Sequence, residues 1–197
     1  TTGGSLQASI ASVSITLGYI EATSGSGSVI TNSTVVASNV MTLVASKPTV
    51  TVSSTQGGTL ILGAENKVGE FTVSADANGK ISVATTTVNL SAIGVTSQQF
   101  ASTRVADGNT TISSATVTGS STAVIVFSPA YEISAGQSKT FSVYSTVTGA
   151  AQSGITPYVA SSLSAAGFYW KDVIGGGTSF QGTNIINFPT NSYTTSR

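Results

Sequence analysis

Hydrophobic and polar residues alternate along much of the chain. Val13, Ile15, Leu17 and Tyr19 are separated by Ser14, Thr16 and Gly18, and Phe71, Val73 and Ala75 by Thr72 and Ser74. Phe141, Val143 and Val147 share one parity against Thr140, Ser142, Tyr144 and Thr146. A period of two sends successive side chains to opposite faces of an extended chain, so each run predicts a β-strand with one buried face. Two other runs, 40–44 and 123–127, are apolar at nearly every position, the pattern of a central strand covered from both sides. Turn signals lie between the runs: Gly57-Gly58, Asn78-Gly79, Asp107-Gly108-Asn109, Ala135-Gly136 and Gly175-Gly176-Gly177. Asn78-Gly79, between a strand ending at Ala75 and one starting at Ile81, predicts a type I′ hairpin. Nothing sustains a period of 3.6, which leaves helix a turn or two near 161–166. The expectation is an all-β fold, a β-sandwich (Ig-like or jelly-roll-like) of roughly a dozen strands with an extended N-terminal strand.

The N-terminal stretch follows its own pattern. Leu6, Ala8 and Ile10 share one parity and Val13, Ile15 and Leu17 the other, so the phase changes at Ala11-Ser12, as at a bulge or a crossing between sheets. Ser24-Gly25-Ser26-Gly27-Ser28 then reads as a flexible linker. This divides the chain into 1–28, strand and linker, and 29–197, the sandwich. A long apolar strand on a linker can pair within its own domain or fill the sheet edge of a neighbour. In the second case Leu6, Ala8, Ile10, Val13, Ile15 and Leu17 are the subunit-interface residues of a donor strand.

Composition supports the strands and narrows the function. Val, Ile and Thr supply 66 of 197 residues, the β-branched types that suit a pleated sheet. Only 14 residues are charged, seven of each sign, where an average domain carries roughly 25%. Their outward positions are taken by 33 Ser and 31 Thr. Zero net charge without a basic cluster argues against nucleic acid as a partner. The lack of His and Cys removes the usual ligands of zinc, haem and iron–sulfur clusters, and the central groups of Ser-His and Cys-His catalysis. No cofactor and no enzymatic activity are expected. No run reaches the 18 or so apolar residues of a membrane-spanning helix. The start, Thr1-Thr2-Gly3-Gly4, reads as a matured N-terminus after removal of an export signal, which places the protein outside the cell.

The remaining candidate sites each have a plain structural alternative. Asp76-Ala77-Asn78-Gly79 and Asp107-Gly108-Asn109 resemble calcium loops, but each holds one carboxylate where a hard cation wants about six to eight oxygens, so turn chemistry is favoured. Phe168, Tyr169 and Trp170 could form a sugar-stacking platform; alternation would put Phe168 and Trp170 together on one face, as core anchors. The seven acids are scattered singly, unlike a glycosidase pair. Lys47, Lys67 and Lys139 enter predicted strands and could form Lys–Asn isopeptides, with solvated lysine as the simpler reading. Three sequons make Asn32, Asn89 and Asn109 glycosylation candidates, of which Asn109 lies in a predicted loop.

The stretches AENKVGEFTVSADANGKISV, YEISAGQSKTFSVYSTVTGA and GFYWKD resemble a pattern of immunoglobulin-like β-sandwich modules in cell-surface proteins of uncultivated small-genome bacteria. The matching elements are Lys47 to Val50, Phe71 to Ala75, Tyr131 to Val143 and Phe168 to Asp172. The resemblance covers about 125 residues and leaves out the first 46. It implies a secreted, S-layer-like or fibre-forming protein and carries over no catalytic residue; members are richer in Asp than this chain. Together these readings predict a structural subunit of an extracellular filament or surface layer on the cell surface. It would assemble with copies of itself by complementation of the N-terminal strand, with surface glycans as a further partner. The alternatives are a non-polymerising adhesin or glycan-binding module, and a viral capsid or decoration protein.

Overall fold

The structure, a computed structural model, describes residues 5–6, 9–10, 20–23, 29–32, 36–37, 41–42, 44–54, 57–118, 121–173 and 179–196. The chain divides into two compact units, Thr1–Val44 and Ala45–Arg197. The division falls after Val44 and not after residue 28, because residues on the far side of the Gly/Ser stretch pair with those before it. In the first unit β1 (Ser5–Leu6) pairs with β6 (Met41–Thr42). Inside that pair, β2 (Ser9–Ile10) meets β5 (Val36–Ala37), and β3 (Ile20–Thr23) meets β4 (Val29–Asn32). All three pairings are antiparallel and nested in sequence, as in a two-stranded ribbon.

The second unit is all-β, as its alternation and composition require. Its twelve strands are β7 (Thr49–Val52), β8 (Gly57–Thr59), β9 (Glu65–Ser74), β10 (Ile81–Ile93), β11 (Val95–Asp107), β12 (Thr110–Thr118), β13 (Thr122–Ile133), β14 (Ser138–Ala151), β15 (Tyr158–Leu163), β16 (Tyr169–Asp172), β17 (Ser179–Gln181) and β18 (Tyr193–Ser196). They follow the order β7-β9-β14-β11-β12-β13-β10-β15-β18-β8, with β16 on β10 and β17 on β16. Every pairing is antiparallel except β18 with β8.

β12 folds this sheet over. Its first half pairs with β11, from Asp107↔Thr110 to Arg104↔Ser114, and its second half with β13, from Ala115↔Ile125 to Thr118↔Thr122. Strands β7-β9-β14-β11 thus form one layer and β13-β10-β15-β18 the other. At the far seam β15 and β18 approach β9, so the sandwich is nearly a barrel. The chain also crosses between layers at Gly94, between β10 and β11. Gly94 has φ +74°, and a Cβ there would lie 2.8 Å from Cγ2 of Ile155, so both conformation and space call for glycine.

Between the layers the inward positions make one core. Phe71 and Phe141 pack at 5.2 Å between ring centroids, and Phe141 reaches across to Phe127 at 5.7 Å and edge-on to Tyr131 at 5.1 Å. Val68, Val73, Val83, Ile125, Val143 and Val147 complete it, all buried. Ser145 shares the core parity of β14; its hydroxyl pairs with that of Thr103 at 2.8 Å and donates to the Ala101 carbonyl, so it is buried without an orphaned group.

Three expectations need correction. Asn78-Gly79 makes no hairpin: β9 pairs with β7 and β14, β10 with β13, β15 and β16, so the turn joins two layers. Neither residue has positive φ; Asp76 Oδ1 instead accepts from the Asn78 backbone N–H at 3.1 Å and from its Nδ2 at 2.9 Å. Residues 161–166 form the end of β15 and a turn, while the one helix among the described residues is a single 3₁₀ turn, Gly182–Asn184. The all-apolar run 123–127 is covered on one face only: Ala123, Ile125 and Phe127 are buried, and Val126 is 56% exposed.

Candidate functional site

The few charges are paired rather than dispersed. Glu65 on β9 receives both Nε (2.7 Å) and Nη2 (2.8 Å) of Arg104 on β11; Arg104 also donates Nη1 to Thr111 Oγ1 at 2.9 Å and lies 4.3 Å over the Tyr144 ring. This forked geometry is what a planar guanidinium offers a carboxylate. Lys67 pairs with Glu70, Lys80 with Glu132 at 3.0 Å, and Lys139 with Asp107 at 2.9 Å. Eight of the fourteen charges are neutralised in these four pairs. The lysines weighed as cross-linking residues, Lys67 and Lys139, therefore face carboxylates and not an asparagine amide.

Asp107 closes one end of the core. Its Oδ2 accepts from the Tyr131 hydroxyl at 2.5 Å and from Lys139 Nζ. The Tyr131 hydrogen bond first, and Lys139 second, hold the Asp107 carboxyl below its ordinary range, and Arg104 does the same for Glu65. A carboxyl lowered by folding contributes stability above the ordinary carboxylate range and loses it as pH falls through the lowered value. Thermal melts should therefore hold steady from neutral pH down to that range and decline below it, and Asp107→Asn should flatten part of the decline. Identical acid limbs for the two proteins would contradict this role.

The charges also segregate by layer. Strands β9, β11 and β14 carry Glu65, Lys67, Glu70, Arg104, Asp107 and Lys139. In the other layer β10, β15 and β18 carry none, nor does the bridging β12, while β13 carries Glu132 and β16, paired with β10, carries Lys171 and Asp172. Outward hydroxyls hydrogen-bond to each other across strands in the charged layer, Thr72 to Thr140 at 2.8 Å and Ser74 to Ser138 at 2.7 Å, which satisfies polar groups without charge. Sequence reasoning missed both pairing and segregation. The signal for the second was present, since charge-free strands can be read from the chain once their bounds are known.

The aromatic element sorts as alternation requires. Phe168 and Trp170 are buried, with Phe188 and Phe180 against them at 5.6 and 4.9 Å between centroids. Tyr169 lies on the other face and accepts Gln181 Nε2 at 2.8 Å. With two of its three rings in the core, the trio cannot act as a sugar platform. An open cleft of about 570 Å³ lies nearby, lined by Ser162, Leu163, Ala165, Gly182, Thr183, Ile185, Phe188, Pro189 and Thr190, and no charged group reaches it. Among the described residues no three acids gather as metal ligands, and no helix is long and apolar enough to cross a membrane.

Of the donor-strand residues, Leu6 sits in β1 opposite Met41 and Ile10 in β2 opposite Val36, both within the ribbon. Ala8, Val13, Ile15 and Leu17, with the phase change at Ala11-Ser12, lie outside the described residues. Of the sequons, Asn32 ends β4, Asn89 is exposed in the middle of β10, and Asn109 is exposed at the β11–β12 turn beside Gly108, whose φ is +59°.

No family profile and no curated protein matches the chain. Solved structures similar to it include a DUF4466 family protein from Parabacteroides merdae ATCC 43184, with TM-score 0.30, 16% identity, and 70% of this chain and 43% of that one covered. Another is BcpA*(D312A), the major pilin subunit of Bacillus cereus, with TM-score 0.33, 7% identity, and 83% and 45% covered. The chain spans less than half the length of either.

Proposed function

We propose that the protein is a non-catalytic structural subunit of an extracellular filament or surface layer, assembling through its N-terminal unit. The observation that carries this is the N-terminal unit Thr1–Val44, whose described residues pair antiparallel as β1 with β6, β2 with β5 and β3 with β4. An isolated two-stranded hairpin is at best marginally stable in water, because it has no second layer in which to bury its apolar side. This one contains Leu6, Ile10, Ile20, Ile30, Val36 and Met41 and a single charge, Glu21. A second layer supplied by another subunit meets that need, and a head-to-tail contact of this kind propagates without closing. The strand-complementation idea thereby becomes exchange of a ribbon, since the N-terminal strand already has a pairing partner. The likeness of residues 47–172 to surface modules of small-genome bacteria favours the same reading. An adhesin would have to use the neutral cleft beside β15, whose one lining aromatic is Phe188, partly exposed and packed against Phe168.

Assembly of neutral surfaces is driven by apolar burial and hydrogen bonding, so it should not weaken when salt shortens the Debye length to about 3 Å at 1 M. Light scattering of the full-length protein is expected to show mass growing with concentration, equally in low and in high salt. A monomer at every concentration, or dissociation on adding salt, contradicts the reading.

A further inference from the structure

We infer that β11 carries a guard built into its backbone: two inserted residues, Ser97 and Ser102, close its open edge to strand pairing with a second copy. The opening arises where β12 changes layers. β12 pairs with β11 as far as Arg104↔Ser114 and then turns to β13 at Ala115↔Ile125, so residues 95–103 have β14 as their one strand neighbour among the described residues. A free edge of this length presents backbone groups as a template for another chain, and proteins commonly block such edges with charge. Residues 95–103 contain no charged side chain.

The backbone takes over that role. β11 pairs Thr96 with Ala150 and then Gln99 with Thr148, so Ser97 and Gln98 face Gly149 alone; it pairs Ala101 with Thr146 and then Arg104 with Tyr144, so Ser102 and Thr103 face Ser145 alone. Each is a bulge, with one residue more than the partner strand. Ser97 has φ +50° and Ser102 φ +48°, a left-handed conformation that serine holds only under strain. Gln98 and Thr103 point inward, where Gln98 Oε1 accepts the Ala92 N–H at 2.6 Å and Thr103 meets Ser145, while both serines are exposed. Were the serines absent, burial would alternate without a break, with Val95, Phe100, Thr103 and Val105 inward and Thr96, Gln99 and Ala101 outward. Pairing with β14 and packing of the core thus call for neither insertion; what the insertions change is the edge, which they bend and twist at two points. The matching edge of β13 is blocked by other means: Ser113 Oγ donates to the Val126 carbonyl at 2.7 Å, and Pro129 has no N–H to offer.

The chain has no cysteine, so Gln99→Cys places a single thiol at this edge of the full-length protein. Copies are then joined with a bis-maleimide linker long enough to tolerate a slip in register. The backgrounds are the intact chain, deletion of Ser97, of Ser102 or of both, and Ser97→Gly with Ser102→Gly. The intact chain and the glycine variant, which keeps both bulges, are expected to give no linked dimer, and the glycine variant should melt at a higher temperature because glycine relieves the strain. The double deletion should link into dimers while still melting cooperatively, and each single deletion to a smaller extent. Assembly through the N-terminal unit is common to all these chains and cancels in the comparison, so the outcome does not depend on that reading. Linking of the intact chain as strong as that of the double deletion, or no linking in any deletion that folds, overturns the inference. Loss of cooperative melting in all three deletions overturns it as well, since the bulges would then shape the fold rather than guard its edge.

Discussion

Removing residues 1–44 is expected to leave a folded monomer that no longer assembles. Among the described residues, every buried hydrophobic residue, from Val50 to Tyr193, belongs to Ala45–Arg197, so the truncated chain keeps these packed layers, the four ion pairs and the cross-strand hydroxyl bonds. What it loses is a nearly uncharged ribbon whose apolar residues need cover that two strands cannot provide. The expected result is a melting temperature close to that of the full chain, together with loss of all concentration-dependent mass in light scattering. Association of the truncated chain equal to that of the full one would remove the ribbon from the account. Unfolding of the truncated chain would show that the ribbon serves its own domain.

Phe141→Ala is expected to have the largest effect on stability. The ring is fully buried and contacts Phe71 beside it in the same layer, Phe127 across the core, and Tyr131 edge-on. Truncation removes the transfer free energy of the ring and leaves a cavity that three aromatic neighbours cannot collapse to fill; such changes cost about 3–5 kcal/mol. Against a typical stability of roughly 5–15 kcal/mol this is a large share, and the melting temperature should fall by on the order of 10 °C. Tyr131 would also lose a wall that holds its hydroxyl on Asp107, so the acid limb should shift with it. A fall of only a degree or two would mean that the two layers are not joined through this ring.

What could be read from the chain was local. Phe71 and Val73 against Thr72 and Ser74, and Phe168 and Trp170 against Tyr169, sort by parity because each strand obeys its own pleat. Asn78-Gly79 was misread because its residues suit a hairpin, while the choice of neighbours for β9 is made by register with β7 and β14, far away in sequence. Val126 was misread for a related reason: an apolar run reports that a strand is to be covered, and not whether its own chain supplies the cover. The ribbon was half legible. Its apolar alternation was visible, but pairing of 20–23 with 29–32 across a Gly/Ser stretch looks the same in sequence as a strand followed by a linker. Ion pairing was invisible for want of spacing, since Arg104 and Glu65 are brought together by β14 between their strands. The scarcity of charge thus acquires a location, with no charged residue on β10, β12, β15 or β18.

Electron microscopy of purified full-length protein beside the 1–44 deletion tests the central claim most directly. The account predicts regular filaments or sheets from the full chain and only isolated particles from the deletion. Isolated particles from both, or the same polymers from both, would contradict it.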